Sequence, residues 1–233
     1  MQRRYDVVFL DAQGTLITAH PSTAAVYGEV CARLGYQIGH KEIASAIRAL
    51  WAETRLLTDT QAAFDTSDEA TKAWWKTFNS KLFHRLGMKN GLERFVDEMW
   101  MTFGRPETYR PYPEALDVLL ELKKRSYRLG IVSNWDSRLP SICETHGISG
   151  HVDFIVASAA VGVEKPDRRI FEIALDRAGV PPHRAIHIGD DYEADVLGAR
   201  GAGIEALHLD RDGTGPSDKQ KIPSLRELLN LLP

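Results

Sequence analysis

Acidic, hydroxyl and basic side chains follow four short apolar segments of the sequence, each at the point where the segment ends. They are Asp11, Ser133 with Asn134, Lys165, and Asp190 with Asp191 and, four residues on, Asp195. A carboxylate can attack a substrate as a covalent nucleophile, and an ammonium group can offset the charge of an anion. These residue types together indicate a site that could transfer a negatively charged group.

The acidic residues of this set create an electrostatic problem that a metal ion would solve. Two or three carboxylates that converge without a cation repel one another strongly. Proteins bind Mg²⁺ through one or two carboxylates together with substrate oxygens, which would relieve this repulsion. Lys165 would add a positive charge that offsets both Asp11 and an incoming phosphate. The sequence therefore predicts a Mg²⁺ site beside Asp11.

The elements that must position these residues read as alternating strands and helices. Apolar, strand-like runs occur at 5–10, 129–134, 152–158, 184–190 and 204–210. Nearly continuous apolar strands are typical of a parallel sheet that is covered on both faces. Helical periodicity at 113–127 and 166–179 separates the later strands. The pattern predicts an α/β fold with a doubly wound parallel sheet, whose site lies outside the carboxyl ends of the strands.

About a hundred residues between the first two strands carry almost no strand pattern. Amphipathic helices are predicted there at 21–34, 41–57, 68–86 and 92–103. Because a structureless loop of this length is rare, we expect an inserted all-helical domain. The predicted boundaries are 19–105 for the insert and 1–18 with 106–233 for the α/β core. The insert holds Trp51, Trp74, Trp75 and Trp100, which either pack together or form a hydrophobic wall over the site.

Length and composition exclude several classes of protein. The 233 residues carry a formal net charge of -3 and 43% of them are hydrophobic, which argues against disorder and against a strongly electrostatic nucleic-acid binder. No apolar run approaches the ~20 residues that a bilayer requires, and we find no secretory signal. Two cysteines without metal-ligand spacing favour a reduced, cytoplasmic compartment. The expected partner is therefore a small molecule.

The ordered motifs DxxGTL, SN, KPD and GDDxxxD, each at a strand end, resemble those of the haloacid dehalogenase (HAD) superfamily. The resemblance covers nearly the whole chain, and the helical insert resembles the cap domain that this superfamily carries after its first strand. Within the superfamily, FLDAQGTL, the pair Trp74–Trp75 and VSNWD are similar to the branch of HAD domain-containing protein 3.

This resemblance implies a role for each residue of the set. Asp11 would be the nucleophile and a metal ligand, together with the backbone carbonyl of Gln13 and the carboxylate of Asp190. The substrate would be a small phosphate ester bound by Thr15, Ser133, Asn134 and Lys165. Asp191 or Asp195 would hold the metal or the lysine in place without contacting the substrate. The implied reaction is Mg²⁺-dependent hydrolysis through an aspartyl-phosphate.

Gln13 departs from the family pattern, since family phosphatases carry a second aspartate there as general acid and base. An amide cannot take over that role, which contributes roughly 10²–10⁴-fold to rate. The protein could hydrolyse phosphates with good leaving groups, or obtain its proton from the cap, for example from His20, or from the substrate. It could instead be a metal-independent 2-haloacid dehalogenase, or a catalytically weak binding module that keeps the site.

A second segment, DRDGT at 210–214, matches the family's phosphatase motif DxDGT better than the sequence around Asp11 does. However, it follows the last of the strong strand patterns, so the other motifs cannot follow it in order. Asp and Gly are typical turn residues, and we expect a polar surface loop there.

Overall fold

A six-stranded parallel sheet lies at the centre of the computed structural model, which describes residues 4–55, 66–217 and 220–232. Its strands, in the order in which they lie side by side, are β5 (Phe154–Ala157), β4 (Arg128–Ser133), β1 (Val7–Leu10), β6 (Ala185–Gly189), β7 (Glu205–Leu209) and β8 (Lys221–Ile222). Leu10 pairs with Ile131 on one side and with Ile188 on the other. The first strand of the chain therefore lies between two strands that come much later, and the predicted parallel α/β sheet is confirmed.

Both faces of the sheet are covered, which explains why its strands are apolar throughout. Val8 and Leu10 face one hydrophobic cluster, whereas Val7 and Phe9 face another, and all four are fully buried. The helices of this part of the chain are α5 (Ala115–Lys124), α6 (Leu139–Thr145), α7 (Ser158–Val161), α8 (Arg168–Ala178), a π-helix (Tyr192–Leu197) that continues into α9 (Gly198–Gly201), and α10 (Leu228–Leu231). The alternation along each strand assigns its side chains to the two helical layers in turn.

Four helices occupy the predicted insert: α1 (Thr23–Arg33), α2 (His40–Arg55), α3 (Asp68–Arg85) and α4 (Leu92–Thr102). Ser22 and Ser67 begin α1 and α3, because their hydroxyl groups accept hydrogen bonds from the first free backbone amides. The last two residues of the predicted helix 41–57 lie outside the described residues. Along the described part of the chain, no helix combines the length and apolar character needed to cross a bilayer.

The insert has a hydrophobic core of its own, which includes Tyr27, Leu82 and Phe95. A two-stranded antiparallel ribbon, β2 (Ile17–Ala19) and β3 (Tyr109–Pro111), lies at its two ends. The sequence pattern predicts neither of these short strands. The boundaries at 19 and 105 stay a prediction.

Candidate active site

The predicted site residues meet at the carboxyl edge of the sheet. Asp11 and Asp190 directly follow β1 and β6, Ser133 ends β4, and Lys165 lies in the segment between α7 and α8. Among the described residues, Asp11, Asp190 and Asp195 each place a carboxylate oxygen within 4.8 Å of the others. The edge expected from the strand pattern therefore brings together Asp11, the hydroxyl group of Ser133, the ammonium group of Lys165 and the acidic cluster.

Lys165 lies at the centre of an ion cluster. Its Nζ is 2.6 Å from Oδ1 of Asp11 and 2.5 Å from Oδ1 of Asp195, and its side chain is only 2% exposed. Burial favours the neutral amine, but the two carboxylates outweigh it and hold the pKa of Lys165 above its ordinary range. Lys165 therefore stays positively charged beside Asp11.

Asp195 is fully engaged in holding this lysine. Burial opposes its ionisation, but Lys165 and His187 hold the pKa of its carboxyl well below the ordinary value. His187 Nε2 lies 2.9 Å from Oδ1, and the backbone amide of Asp191 donates to Oδ2 at 3.0 Å. Asp195 thus supports Lys165 as the resemblance implies, whereas the Asp191 side chain caps the π-helix by accepting from the amides of Glu193 and Ala194.

Gly189 leaves the space in which Asp195 sits, since a Cβ atom at position 189 would lie 2.0 Å from Asp195 Cγ. We expect Gly189→Ala to lower the free energy of unfolding by about 2–3 kcal/mol, because a buried, ion-paired carboxylate cannot move aside. Gly201→Ala is the control, since no atom lies within 4 Å of a Cβ atom there. Urea unfolding measures both variants, and equal stabilities would show that Asp195 has room to shift.

Asp190 lines the main cavity together with Asp11. Burial and the neighbouring Asp11 raise the pKa of Asp190 well above its ordinary value. Thr15 Oγ1 donates to Asp190 Oδ1 at 3.4 Å, and Gly14 has φ of 80° where a Cβ atom would lie 2.2 Å from Asp190 Oδ2. The Gly14 turn thus lets the backbone after the nucleophile approach Asp190 closely. Among the described residues no ammonium or guanidinium pairs with Asp190.

Asn134 contacts the segment that carries Lys165. Its Nδ2 donates to the backbone carbonyl of Lys165 at 2.8 Å, and its Oδ1 accepts from the backbone amide of Lys165 at 2.7 Å. The Asn134 side chain therefore positions the Lys165 backbone. Ser133 is buried, and the hydrogen bond from its hydroxyl group lowers the pKa of Asp11, although burial raises that pKa overall.

Gln13 is exposed and lines the main cavity, as expected for the position two residues after the nucleophile. His20, a possible proton source for which the sequence favours a surface position, is exposed and is not among the described residues that line this cavity. Its backbone amide is bonded to Thr108, at the end of the ribbon.

The loop at 210–214 exposes Asp212, Gly213 and Thr214, as its sequence predicts, but Arg211 reaches inward from it. The Arg211 guanidinium donates to the carbonyl oxygens of Gly14 at 3.1 Å and Thr15 at 2.9 Å, and it also pairs with Glu114 Oε1 at 2.7 Å. It lies 3.7 Å from the centroid of the Tyr112 ring. A turn composition could not reveal this long-range contact, which ties the loop to the turn that follows Asp11.

The main cavity has a volume of about 810 Å³ and extends from the ion cluster into the helical insert. Its aromatic lining is Trp51, Trp75, Phe78, Trp100, Phe103, Tyr27, Tyr109 and Trp135. Trp51 and Trp75 also contact each other, with ring centroids 6.0 Å apart. Trp51, Trp74 and Trp75 pack together, and Trp51, Trp75 and Trp100 line the main cavity, so each expectation holds for part of the set.

Glu164 precedes Lys165 and lines a side cavity of about 370 Å³. Burial raises its pKa from 4.5 to about 7. The folded state thus binds the proton of the Glu164 carboxyl more tightly than the unfolded state does. The contribution of Glu164 to stability therefore falls as pH rises from about 4.5 to about 7, and it is constant above that.

Glu164→Gln replaces this acid by an uncharged amide of nearly the same shape. At each pH the variant is compared with the unmodified protein. We expect the resulting change in the free energy of unfolding to be about 2 kcal/mol more stabilising at pH 8 than at pH 4.5. Urea unfolding at both pH values measures this, with the exposed Glu107→Gln as the control. A change of equal size at both pH values would mean that Glu164 ionises normally in the folded protein.

Comparisons with known proteins agree with this geometry. A family model described as haloacid dehalogenase-like hydrolase matches residues 5–203. The chain is 35% identical over 166 residues to bovine haloacid dehalogenase-like hydrolase domain-containing protein 3, which covers 69% of this chain and 66% of that protein. It is 34% identical over 194 residues to a phosphoserine phosphatase of Thermus thermophilus. This alignment spans 81% of this chain and 72% of that protein. The first relative agrees with the branch predicted from the sequence.

Solved structures share the fold over nearly the full length of both chains. A putative HAD hydrolase of Bacillus subtilis, bound to magnesium, superimposes with a TM-score of 0.76 at 19% identity and 99% coverage of each chain. The L-2-haloacid dehalogenase of Xanthobacter autotrophicus superimposes with a TM-score of 0.71 at 19% identity, with 97% of this chain and 98% of that chain covered. At these identities the likeness establishes the fold, which phosphatases and dehalogenases have in common.

Proposed function

The chain belongs to the haloacid dehalogenase-like hydrolase family, and we propose that it is a Mg²⁺-dependent phosphohydrolase that acts on a small phosphorylated metabolite. The observation that carries this proposal is the arrangement around Asp11. One of its carboxylate oxygens is held 2.6 Å from Lys165, and the carboxylate of Asp190 lies close by without a cation among the described residues. One ammonium group thus faces the three carboxylates of Asp11, Asp190 and Asp195, so an anionic substrate would need a metal ion to offset the remaining negative charge.

The reaction would pass through Asp11. A carboxylate oxygen of Asp11 forms a bond to phosphorus while the bond from phosphorus to the leaving oxygen breaks, and water then hydrolyses the aspartyl-phosphate. Lys165 offsets charge on Asp11 and on the phosphoryl group throughout, since Asp195 keeps it charged and in place. Ser133, which hydrogen-bonds to Asp11, would bind a phosphoryl oxygen.

The residues that would hold Mg²⁺ are Asp11, Asp190 and the backbone carbonyl of Gln13. Hard carboxylate and carbonyl oxygens are the ligands that this ion prefers. The acidic cluster supports the assignment, because Asp11 and Asp190 place carboxylate oxygens within 4.8 Å of each other and a bound cation would offset their repulsion. When bound, the ion supplies charge compensation for the phosphoryl oxygens. Asp195 is already occupied by Lys165 and His187, so we do not assign it as a ligand.

The helical insert would serve as the cap domain, with the boundaries 19 and 105. Its side chains line the main cavity, so it is placed to exclude water and to select the substrate.

The experiment that tests this function is hydrolysis of p-nitrophenyl phosphate with Mg²⁺ and with EDTA. The p-nitrophenol that leaves from this ester is acidic, so the missing second aspartate should slow its hydrolysis less than that of other esters. We expect phosphate release in Mg²⁺ and a loss of at least about tenfold in EDTA. Chloride release from L-2-chloropropionate is measured in parallel. Halide release that ignores EDTA would instead indicate a dehalogenase, and a folded protein that releases neither product would be a binding module.

A further inference from the structure

The main cavity has far more room than a phosphoryl group needs. Its volume of about 810 Å³ lies within the roughly 300–1,000 Å³ of pockets that enclose a whole small molecule. Asp11, Ser133 and Lys165 line one part of it, and side chains from α1–α4 line much of the rest. The organic group that leaves with the ester oxygen must therefore lie against the insert.

Aromatic rings dominate the part of the cavity that would receive this group. Trp51 and Trp75 meet nearly edge to face, at an angle of 84°, and the centroid of Phe78 lies 5.1 Å from that of Trp51 and 5.5 Å from that of Trp75. Aromatic rings pack well with further rings in offset or edge-to-face geometry. This wall therefore favours a flat aromatic group over an aliphatic or strongly polar one.

The insert also lacks a proton donor for the leaving oxygen. Among its described residues that line the cavity, only Tyr27 and Arg48 can ionise. An arginine keeps its proton. Burial raises the pKa of Tyr27, whose hydroxyl group donates to Asn79 at 2.8 Å. Together with Gln13, the lack of an acid among these described residues of the insert favours a leaving group that departs as an anion.

Phenols are leaving groups of this kind, because the pKa of a phenolic hydroxyl group is about 10, whereas aliphatic alcohols are nearly as weakly acidic as water, at about 15.7. From the aromatic wall and the absent proton donor we infer that the substrates are aryl phosphates, in which a phenolic oxygen carries the phosphate. This inference rests on the proposed function and names its substrate class.

The reaction balances without a general acid. A carboxylate oxygen of Asp11 forms a bond to phosphorus, the bond from phosphorus to the phenolic oxygen breaks, and the phenolate leaves with the electron pair. Water then attacks the aspartyl-phosphate, which restores Asp11 and releases phosphate. The proton that the water gives up neutralises the phenolate in solution. The products are a phenol and hydrogen phosphate.

A series of three esters tests the inference on the unmodified protein with Mg²⁺. Phenol and 2-naphthol are of similar acidity, so the ratio of kcat/KM for 2-naphthyl over phenyl phosphate measures the contact with the extra ring. We expect this ratio to be at least about 10, and cyclohexyl phosphate to be at least about 10³-fold slower than phenyl phosphate. A ratio near 1, with cyclohexyl phosphate turned over as fast as phenyl phosphate, would overturn the inference. Turnover of p-nitrophenyl phosphate would then still support the proposed function, whereas no turnover of any ester would remove both.

Trp75→Leu tests the ring contact, with Trp74→Leu as the matched control. Both residues are half-buried neighbours on α3 in the same ring cluster, but among these two only Trp75 lines the main cavity. We expect the naphthyl-to-phenyl ratio to fall at least fivefold in Trp75→Leu and to be retained in Trp74→Leu. Equal ratios in the two variants would contradict the contact. If Trp75→Leu does not fold, the ester series alone decides.

Discussion

Asp11→Asn is expected to lower kcat for p-nitrophenyl phosphate by at least about 10³-fold. A neutral amide cannot form the aspartyl-phosphate, and loss of the attacking group of an enzyme removes most of its catalysis. Asp11→Asn keeps the size of the side chain, so the loss would report chemistry rather than packing. Phosphate release at saturating Mg²⁺ and substrate measures it, with Asp117→Asn on the exposed face of α5 as the control.

The Asp11→Asn protein should remain folded, which makes the loss interpretable. Lys165 keeps its ion pair with Asp195 at 2.5 Å, so no buried charge is left without a partner. Burial raises the pKa of Asp11, so its ionised form costs stability at neutral pH in the metal-free protein. We therefore expect the free energy of unfolding at pH 7, measured without metal, to equal or exceed that of the unmodified protein. A folded Asp11→Asn protein with full activity would place the nucleophile elsewhere.

Gln13→Asp is expected to accelerate hydrolysis of alkyl phosphates by about 10²-fold or more. A carboxyl group there would protonate the departing alkoxide, since the described residues of the insert that line the cavity include no carboxylic acid. Aryl phosphates should gain less than about threefold, because a phenolate needs no proton to leave. The measurement is kcat for cyclohexyl and phenyl phosphate in Gln13→Asp and in the unmodified protein.

Gln13→Asn is the control that shows whether the acidic proton of aspartate or its shorter side chain causes the gain in Gln13→Asp. Asparagine has the shape of aspartate without its acidity, so it should leave the alkyl-to-aryl ratio of kcat as it is. The backbone carbonyl of residue 13 is present in all three proteins, which keeps the proposed metal ligand constant. Equal gains for both ester classes in Gln13→Asp would show that the missing proton does not explain the role of Gln13.

The sheet and its reactive edge could be predicted from the sequence, because both depend on local patterns. Apolar strands such as Val7–Leu10 pack on both faces, and a polar residue directly after such a strand must lie at the carboxyl edge. Asp11, Ser133 and Asp190 were predictable on this ground, and Lys165 from its motif. The helices of the insert were predictable from their periodicity to within a few residues.

The contacts that adjust the site depend on distant parts of the chain and left no pattern in the sequence. Asn134 bonds to the backbone of Lys165, and Arg211 reaches the carbonyl oxygens of Gly14 and Thr15. Turn propensity describes only neighbouring residues, so it predicted the exposed loop but not the half-buried Arg211 side chain that reaches back to the site. The ribbon of β2 and β3 was missed for a similar reason, since strands of three residues are too short to show alternation.

The central position of β1 sets an order of events during synthesis of the chain. Leu10 is synthesised before its partner Ile131, and its partner Ile188 is synthesised later still. At roughly 5–20 residues per second, this apolar strand waits about 6–24 s for its first neighbour and longer for its second. The four helices between them make mostly local contacts and can form meanwhile. Nascent chains of this protein should therefore pass through a stage with a folded insert and an unpaired, aggregation-prone strand, which is the stage at which a chaperone would bind.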